Sequence, residues 1–201
     1  MMSDLGPSMK VVNGGLADGQ LFWRQFKVIM NLTRQRVSGA MAQKNCSVEE
    51  LIFHLQRFVQ PKTSSLVNLI RENCPAVDND WATLMLLDFT PDNLFLKPQS
   101  ISFLDPWRQS TYLGNPAIGF GQFITLIQLY DMFEARETAD YLRNRCLQEL
   151  PEILKTDTEK ISLALRLGET LQLALSSFVR LKSDPVYADN LFRRAIKLWI
   201  T

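Results

Sequence analysis

The chain of 201 residues lacks several features that commonly reveal what a protein does. It has no long uninterrupted apolar run, which argues against a membrane-spanning helix. Its N-terminus, MMSDLGPSMK, has no basic start followed by an apolar core, so we expect no secretory signal peptide. The 22 basic and 21 acidic residues form no block of like charge, so nothing indicates a nucleic-acid-binding surface.

Cysteine and histidine are scarce as well. The three cysteines, Cys46, Cys74 and Cys146, lack metal-type spacing and cannot all pair, which favours a reducing, cytoplasmic setting. The single histidine, His54, would have to serve any Cys-His or Ser-His-Asp site on its own. Because His54 flanks an apolar helix face, we favour a structural or surface role over a catalytic one.

Most of the chain carries helical periodicity. Residues 1–15 are rich in Gly and Ser and predict a flexible N-terminal segment, and residues 16–201 are expected to form one domain. Apolar residues at helical spacing predict helices after Asp18, from the capping box at Ser47, and from about Thr63 to Asn73.

Everything after Pro116 is also expected to be helical. Residues 117–133 are apolar nearly all round, which predicts a central helix, and residues 136–154 have an amphipathic pattern. A capping box at Thr156 predicts a long helix, and Asp184 before Pro185 predicts the last one. The apolar face of the long helix comprises Ile161, Ala164, Leu165, Gly168, Leu171, Leu175, Phe178 and Val179.

Only the region from about 84 to 106 has the pattern of β structure. Two short apolar runs, residues 93–96 and 101–104, flank a Pro-containing connection at residues 97–100. This pattern is typical of a hairpin. The predicted fold class is therefore mainly α with a small β-hairpin.

Three polar residues surround this hairpin. Antiparallel pairing would bring Asn93 and Asp105 to the same open end, where their oxygens suit Mg²⁺. Asp88 would then orient a substrate hydroxyl or accept its proton. The alternative is structural, because Asp and Asn side chains also stabilise turns by bonding to nearby backbone groups.

The spacing of these residues resembles a known family. The chain reads Leu86-Leu87-Asp88, four residues and Asn93, then Phe103-Leu104-Asp105-Pro106-Trp107, then Gly114-Asn115-Pro116 before an apolar helix. This order resembles the catalytic core of the aminoglycoside phosphotransferase, choline kinase and fructosamine kinase group, which shares the protein-kinase fold. The resemblance implies a kinase-like C-terminal lobe, with Asp88 as the catalytic aspartate and Asn93 and Asp105 as metal ligands.

The resemblance also implies ATP and Mg²⁺ as cofactors and a small hydroxyl-bearing molecule as substrate. Two positions depart from the family pattern, since Leu86-Leu87 replaces His-Gly and Asn115 replaces the Asp of Gly-Asp-Pro. The residues before Asp88 have no pattern of the family's β-rich nucleotide lobe, and no nucleotide-binding residue is identified. That lobe would belong to a longer protein or to a partner chain.

Two aromatic residues and an arginine near the predicted metal ligands could face the substrate. Trp107, Arg108 and Tyr112 follow Asp105 closely, although Arg108 is equally consistent with a solvated surface position. Trp81 and Trp199 are expected to pack in the core. A second hypothesis is a non-catalytic, pseudokinase-like helical interaction module, whose apolar face would be covered by a partner chain or a second copy.

Overall fold

The computed structural model of the protein describes Trp23, Ile52 and residues 63–73, 83–86, 94–97, 100–103, 111–129 and 136–200. Trp23 and Ile52 are helical and buried. The other described residues form α1 (Thr63–Asn73), β1 (Thr83–Leu86), β2 (Leu94–Lys97), β3 (Ser100–Phe103), β4 (Thr111–Gly114), α2 (Pro116–Leu129), α3 (Arg136–Leu154), α4 (Thr158–Arg180) and α5 (Pro185–Ile200). The protein is therefore mainly α. Residues 1–15, Ser47, His54 and Trp81 lie outside the described residues.

Helix α1 has the bounds that the sequence predicts. It runs from Thr63 to Asn73, and both Leu66 and Ile70 are fully buried. The Nδ2 of Asn73 donates a hydrogen bond to the carbonyl oxygen of Leu69 at 2.9 Å, at the end of the helix. The apolar face of α1 joins the main hydrophobic core, and α1 packs against α5.

Helix α2 is the central element of this core. Every residue from Pro116 to Ile127 is buried, and the helix contains no charged residue. A helix that is apolar on all sides must be surrounded by other elements, and α2 packs against α3, α4 and β1. The predicted central position is confirmed. The helix ends at Leu129, and residues 130–133 of the predicted range lie outside the described residues.

The contact between α2 and α4 depends on two glycines. A Cβ atom added to Gly168 would lie 1.9 Å from the carbonyl oxygen of Ile118. A Cβ atom added to Gly121 would lie 2.1 Å from the carbonyl oxygen of Leu165. Both distances are far below any real Cβ contact, so the two backbones touch directly and leave no space for a side chain at either position.

Helix α3 ends in a left-handed cap. Its bounds, Arg136–Leu154, agree with the predicted helix. Lys155 has a φ of 52°. Its N–H donates a hydrogen bond to the carbonyl oxygen of Glu152 at 3.4 Å, and the N–H of Thr156 donates one to the carbonyl oxygen of Pro151 at 3.0 Å. This is the Schellman arrangement, which satisfies the last carbonyls of a helix.

Helix α4 starts one residue later than the predicted capping box requires. Asp157 is the N-cap, and its Oδ1 accepts a hydrogen bond from the N–H of Lys160 at 2.7 Å. The prediction that Thr156 caps this helix is wrong because Asp157 holds the N-cap position, and Thr156 belongs to the turn that closes α3.

The predicted apolar face of α4 is buried along most of its length. Ile161, Ala164, Leu165, Gly168 and Leu171 are buried. Phe178 and Val179, the last two residues of the predicted apolar face, are exposed, at 44% and 66%. They occupy the last turn of α4, at the edge of the helical core, where the chain turns toward α5.

Helix α5 is capped and packed as predicted. Oδ1 of Asp184 accepts a hydrogen bond from the N–H of Tyr187 at 3.0 Å, and Pro185 is the first helical residue. Trp199 is 5% exposed and joins the core, and its Nε1 donates to Oγ1 of Thr170 at 2.9 Å. The guanidinium of Arg166 lies 5.6 Å from the centre of the Trp199 ring. No helix within the described ranges is long and apolar enough to cross a bilayer.

The described strands form two antiparallel pairs. Strand β1 pairs with β4, so that Thr83 lies opposite Gly114 at one end and Leu86 lies opposite Thr111 at the other. Strand β2 pairs with β3 from Leu94 opposite Phe103 to Lys97 opposite Ser100. Each strand has four residues. Strand β1 also contacts α2, which links the strands to the helical core.

Candidate functional site

The predicted site residues fall mainly in the segments between strands. Asp88 and Asn93 lie between β1 and β2, and Asp105, Trp107 and Arg108 lie between β3 and β4; all five are outside the described residues. Tyr112 lies in β4, where its Cα pairs with that of Met85. The described strands flank these two segments and fix the positions at which each begins and ends.

The strand register brings the ends of these two segments together. Residues 87–93 leave β1 after Leu86 and enter β2 at Leu94, while residues 104–110 leave β3 after Phe103 and enter β4 at Thr111. Leu86 pairs with Thr111, and Leu94 pairs with Phe103. Antiparallel partners have Cα atoms about 4.5–5.5 Å apart. Both segments therefore connect the same two paired positions and run in opposite directions between them.

Asn115 fixes the start of the helix that follows the strands. It is fully buried, and its Oδ1 accepts a hydrogen bond from the N–H of Ala117 at 2.9 Å. Its backbone carbonyl accepts from the N–H of Ile118 at 3.0 Å. Asn115 is thus an N-cap, with Pro116 at the first helical position. The Nδ2 of Asn115 is buried and has no hydrogen-bond partner among the described residues.

This capping role accounts for an oxygen-bearing side chain at position 115. An N-cap needs a side-chain oxygen that accepts a hydrogen bond from the first turn, and an amide supplies one as well as a carboxylate does. Position 115 is therefore structural within the described geometry, since it fixes α2 directly after β4.

A second polar cluster lies among the helices. Arg143 of α3 forms an ion pair with Glu169 of α4 through Nη2 and Oε1. The Glu169 side chain is only 5% exposed, whereas that of Arg143 is 34% exposed. Both residues line a cleft of about 190 Å³, which Thr125, Gln128, Leu173, Arg194, Lys197 and Leu198 complete.

Burial dominates the electrostatics of Glu169. Loss of water raises the pKa of its carboxyl above the ordinary value, and the charges of Arg143, Arg166 and Arg194 only partly offset this effect. The sequence contains one indication of this site, which apolar periodicity alone does not include. Glu169 stands between Leu165 and Leu173 at spacings of four residues, so a carboxylate occupies the edge of the apolar face.

The described residues give little support to a cysteine nucleophile or to a metal site. Cys146 is a free, buried thiol, and burial raises its pKa well above the ordinary value, so it is not an activated nucleophile. The described residues contain no group of three or more His, Cys, Asp or Glu side chains that could hold a metal ion. The predicted metal ligands, Asn93 and Asp105, are not among those residues.

Comparison of the chain with protein-family models, curated proteins and solved structures gave no significant match.

Proposed function

We propose that the chain is the helical, catalytic lobe of a kinase-like phosphotransferase that transfers phosphate from ATP to a hydroxyl of a small polar molecule. The strand register is the observation that carries this proposal. It holds the ends of residues 87–93 and 104–110 at the same two paired positions, and these segments contain the three residues that resemble a phosphoryl-transfer site.

The roles of the three residues follow from their chemistry. Asn93 and Asp105 offer an amide and a carboxylate oxygen, which match the hard oxygen ligands that Mg²⁺ prefers together with phosphate oxygens and water. Asp88 offers a carboxylate that orients the acceptor hydroxyl and takes its proton. Bound Mg²⁺ would neutralise charge on the phosphates of ATP. Trp107, Arg108 and Tyr112 would contact the acceptor.

The packing of α2 supports the same proposal. Asn115 caps α2 immediately after β4, and α2 is buried against α4 through the glycine contact. This arrangement anchors the end of β4 to the helical core, and a site needs such support when its reacting groups must hold their positions. The nucleotide lobe that the family uses would come from another part of a longer protein or from a partner chain.

A specific observation favours the alternative, a non-catalytic interaction module. Four exposed apolar side chains flank the turn between α4 and α5, namely Phe178, Val179, Val186 and Tyr187, at 37–72% exposure. Exposed apolar groups that cluster on a surface commonly mark contacts with other proteins. On this alternative, the Val179→Glu substitution would shift the chain from an oligomer to a monomer in light scattering, and Asp88→Ala would leave function unchanged.

The proposal is tested by calorimetric titration of the purified chain with ATP in the presence of Mg²⁺. We expect binding that depends on Mg²⁺ and that Asp105→Ala removes, because this substitution deletes a carboxylate ligand. Asp140→Ala is the matched control, since Asp140 is an exposed carboxylate on α3. Equal Mg²⁺-dependent binding by Asp105→Ala would contradict the proposed metal site, and absence of binding to the unsubstituted chain would favour an incomplete lobe or the non-catalytic module.

A further inference from the structure

The cleft that contains Glu169 has the features of a binding site for an anion. Its volume of about 190 Å³ is below the range of ~300–1,000 Å³ that accommodates drug-sized molecules, so it suits a small ligand. Three cationic side chains line it, from Arg143, Arg194 and Lys197, against a single carboxylate from Glu169. Cations thus outnumber carboxylates three to one on its walls.

The charges are arranged by depth. The Glu169 carboxylate is buried and is paired with Arg143, which is only partly exposed. Arg194 and Lys197 are exposed residues on α5, three positions apart and therefore on the same side of that helix. Leu173 and Leu198 provide apolar wall, and Thr125 and Gln128 add polar groups from α2. Cationic groups at an accessible rim can meet a ligand from solvent without breaking the buried pair.

We propose that this cleft binds the phosphate group of a small phosphate monoester. A phosphate dianion matches the excess of cationic groups better than a carboxylate does, and the planar guanidinium of Arg194 can donate two parallel hydrogen bonds to its oxygens. Lys197 adds positive charge to the same wall, and the neighbouring leucines would contact the ester group. This site involves none of Asp88, Asn93 and Asp105 and is independent of the proposed function.

The simpler account is that Arg143 and Glu169 form only a structural link between α3 and α4. In that account, the only role of Arg194 is that its positive charge lowers the pKa of Glu169. The two accounts therefore differ in what they predict for a ligand and for the exposed rim, where substitution carries little risk to folding.

The test is calorimetric titration with methyl phosphate, inorganic phosphate and acetate, without ATP or Mg²⁺. We expect saturable binding of methyl phosphate, which inorganic phosphate displaces, and no comparable binding of acetate. Arg194→Gln should weaken binding by about tenfold, which is about 1.4 kcal/mol, because it removes charge-assisted hydrogen bonds to the phosphate. Arg193→Gln is the control, because the neighbouring Arg193 pairs with Asp189 outside the cleft.

Glu169→Gln provides a further check, and two results would overturn the proposal. Glu169→Gln should tighten phosphate binding, because it removes the carboxylate that competes for Arg143, provided that the variant keeps its cooperative unfolding. The proposal is overturned if methyl phosphate does not bind at concentrations up to about 10 mM, where a Kd near 1 mM is measurable. It is also overturned if Arg194→Gln and Arg193→Gln have equal effects.

Discussion

The helical region of residues 116–200 and the strand region of residues 83–114 differ in how they are held together. The helices pack through a continuous apolar core, with α2 at its centre and with direct backbone contact at Gly121 and Gly168. The strands form two separate two-stranded pairs, and each strand has four residues. Two-stranded pairs are marginally stable by themselves, and the pair of β1 and β4 is supported by the contact of β1 with α2.

This difference suggests a division of roles. The helices supply most of the stability of the fold, and the segments between the strands carry the polar residues proposed to act on substrate. Substitutions in the two regions should therefore have different signatures, with large effects on unfolding in the helices and effects on ligand binding in the strand segments.

The largest effect on stability is expected at the glycine contact. Gly168→Ala would place a Cβ 1.9 Å from the carbonyl oxygen of Ile118, so α2 and α4 must move apart. We expect a loss of about 3 kcal/mol or more in the free energy of unfolding, measured by urea denaturation.

The control for this prediction is Ser162→Ala in the same helix. Ser162 is half-buried, and alanine slightly favours the helix, so its substitution should change stability by less than about 0.5 kcal/mol. If Gly168→Ala stabilised the chain, as helix propensity alone predicts, the close contact of α2 with α4 would be refuted.

The buried Glu169 should make stability depend on pH. Its pKa is raised in the folded chain, mainly by burial, so the folded state holds this proton more tightly than the unfolded state does. Stability from this group is full below the unfolded pKa and is lost as pH rises through the folded pKa. From about pH 4 upward, the unsubstituted chain should lose stability relative to Glu169→Gln. Paired denaturation curves across that range measure this difference, and a constant difference would contradict the account.

Loss of the capping residue of α4 should lower the free energy of unfolding by less than the glycine substitution does. Asp157→Ala removes the oxygen that accepts a hydrogen bond from the N–H of Lys160, which should cost about 1 kcal/mol. Thr156→Ala should cost less than about 0.5 kcal/mol, because its backbone N–H, which remains, closes α3. Urea denaturation of both variants checks the assignment, and the reverse order would restore Thr156 as the cap.

The smallest predicted effect is a gain. Lys155 has a φ of 52° at the end of α3, a conformation that costs a residue with a Cβ about 1 kcal/mol and costs glycine little. Lys155→Gly should therefore raise the melting temperature slightly. Lys182→Gly, in the turn between α4 and α5, lacks a positive φ and should give no gain. A loss of stability in Lys155→Gly would show that the left-handed cap is absent in solution.

Local features of the sequence predicted local features of the fold. The bounds of α1 and α3 and the cap at Asp184 follow from patterns within a few residues, and the structure contains them. The cap of α4 was misassigned by one residue because Thr156 and Asp157 are both suitable capping types. Phe178 and Val179 fit the helical period but lie beyond the part of α4 that its neighbours cover.

Long-range contacts were not predictable in the same way. The Arg143–Glu169 pair joins residues 26 apart, and no local pattern selects one arginine among several. The helical spacing placed Gly168 on the apolar face of its helix, but the direct backbone contact with Ile118 depends on how α2 and α4 cross. The pairing of β1 with β4 spans more than 20 residues, and a single sequence does not specify such partners. The roles of Asp88, Asn93 and Asp105 stay predictions.

One measurement tests the division of roles most directly, namely the free energy of unfolding of the Asp88→Ala/Asp105→Ala double variant without Mg²⁺ or ATP. If these carboxylates act on substrate and metal, their loss should change stability by less than about 0.5 kcal/mol or should raise it. If they instead cap and turn the strands, two lost side-chain-to-backbone hydrogen bonds should cost about 2 kcal/mol or more. The second result would contradict the account and would identify these residues as structural.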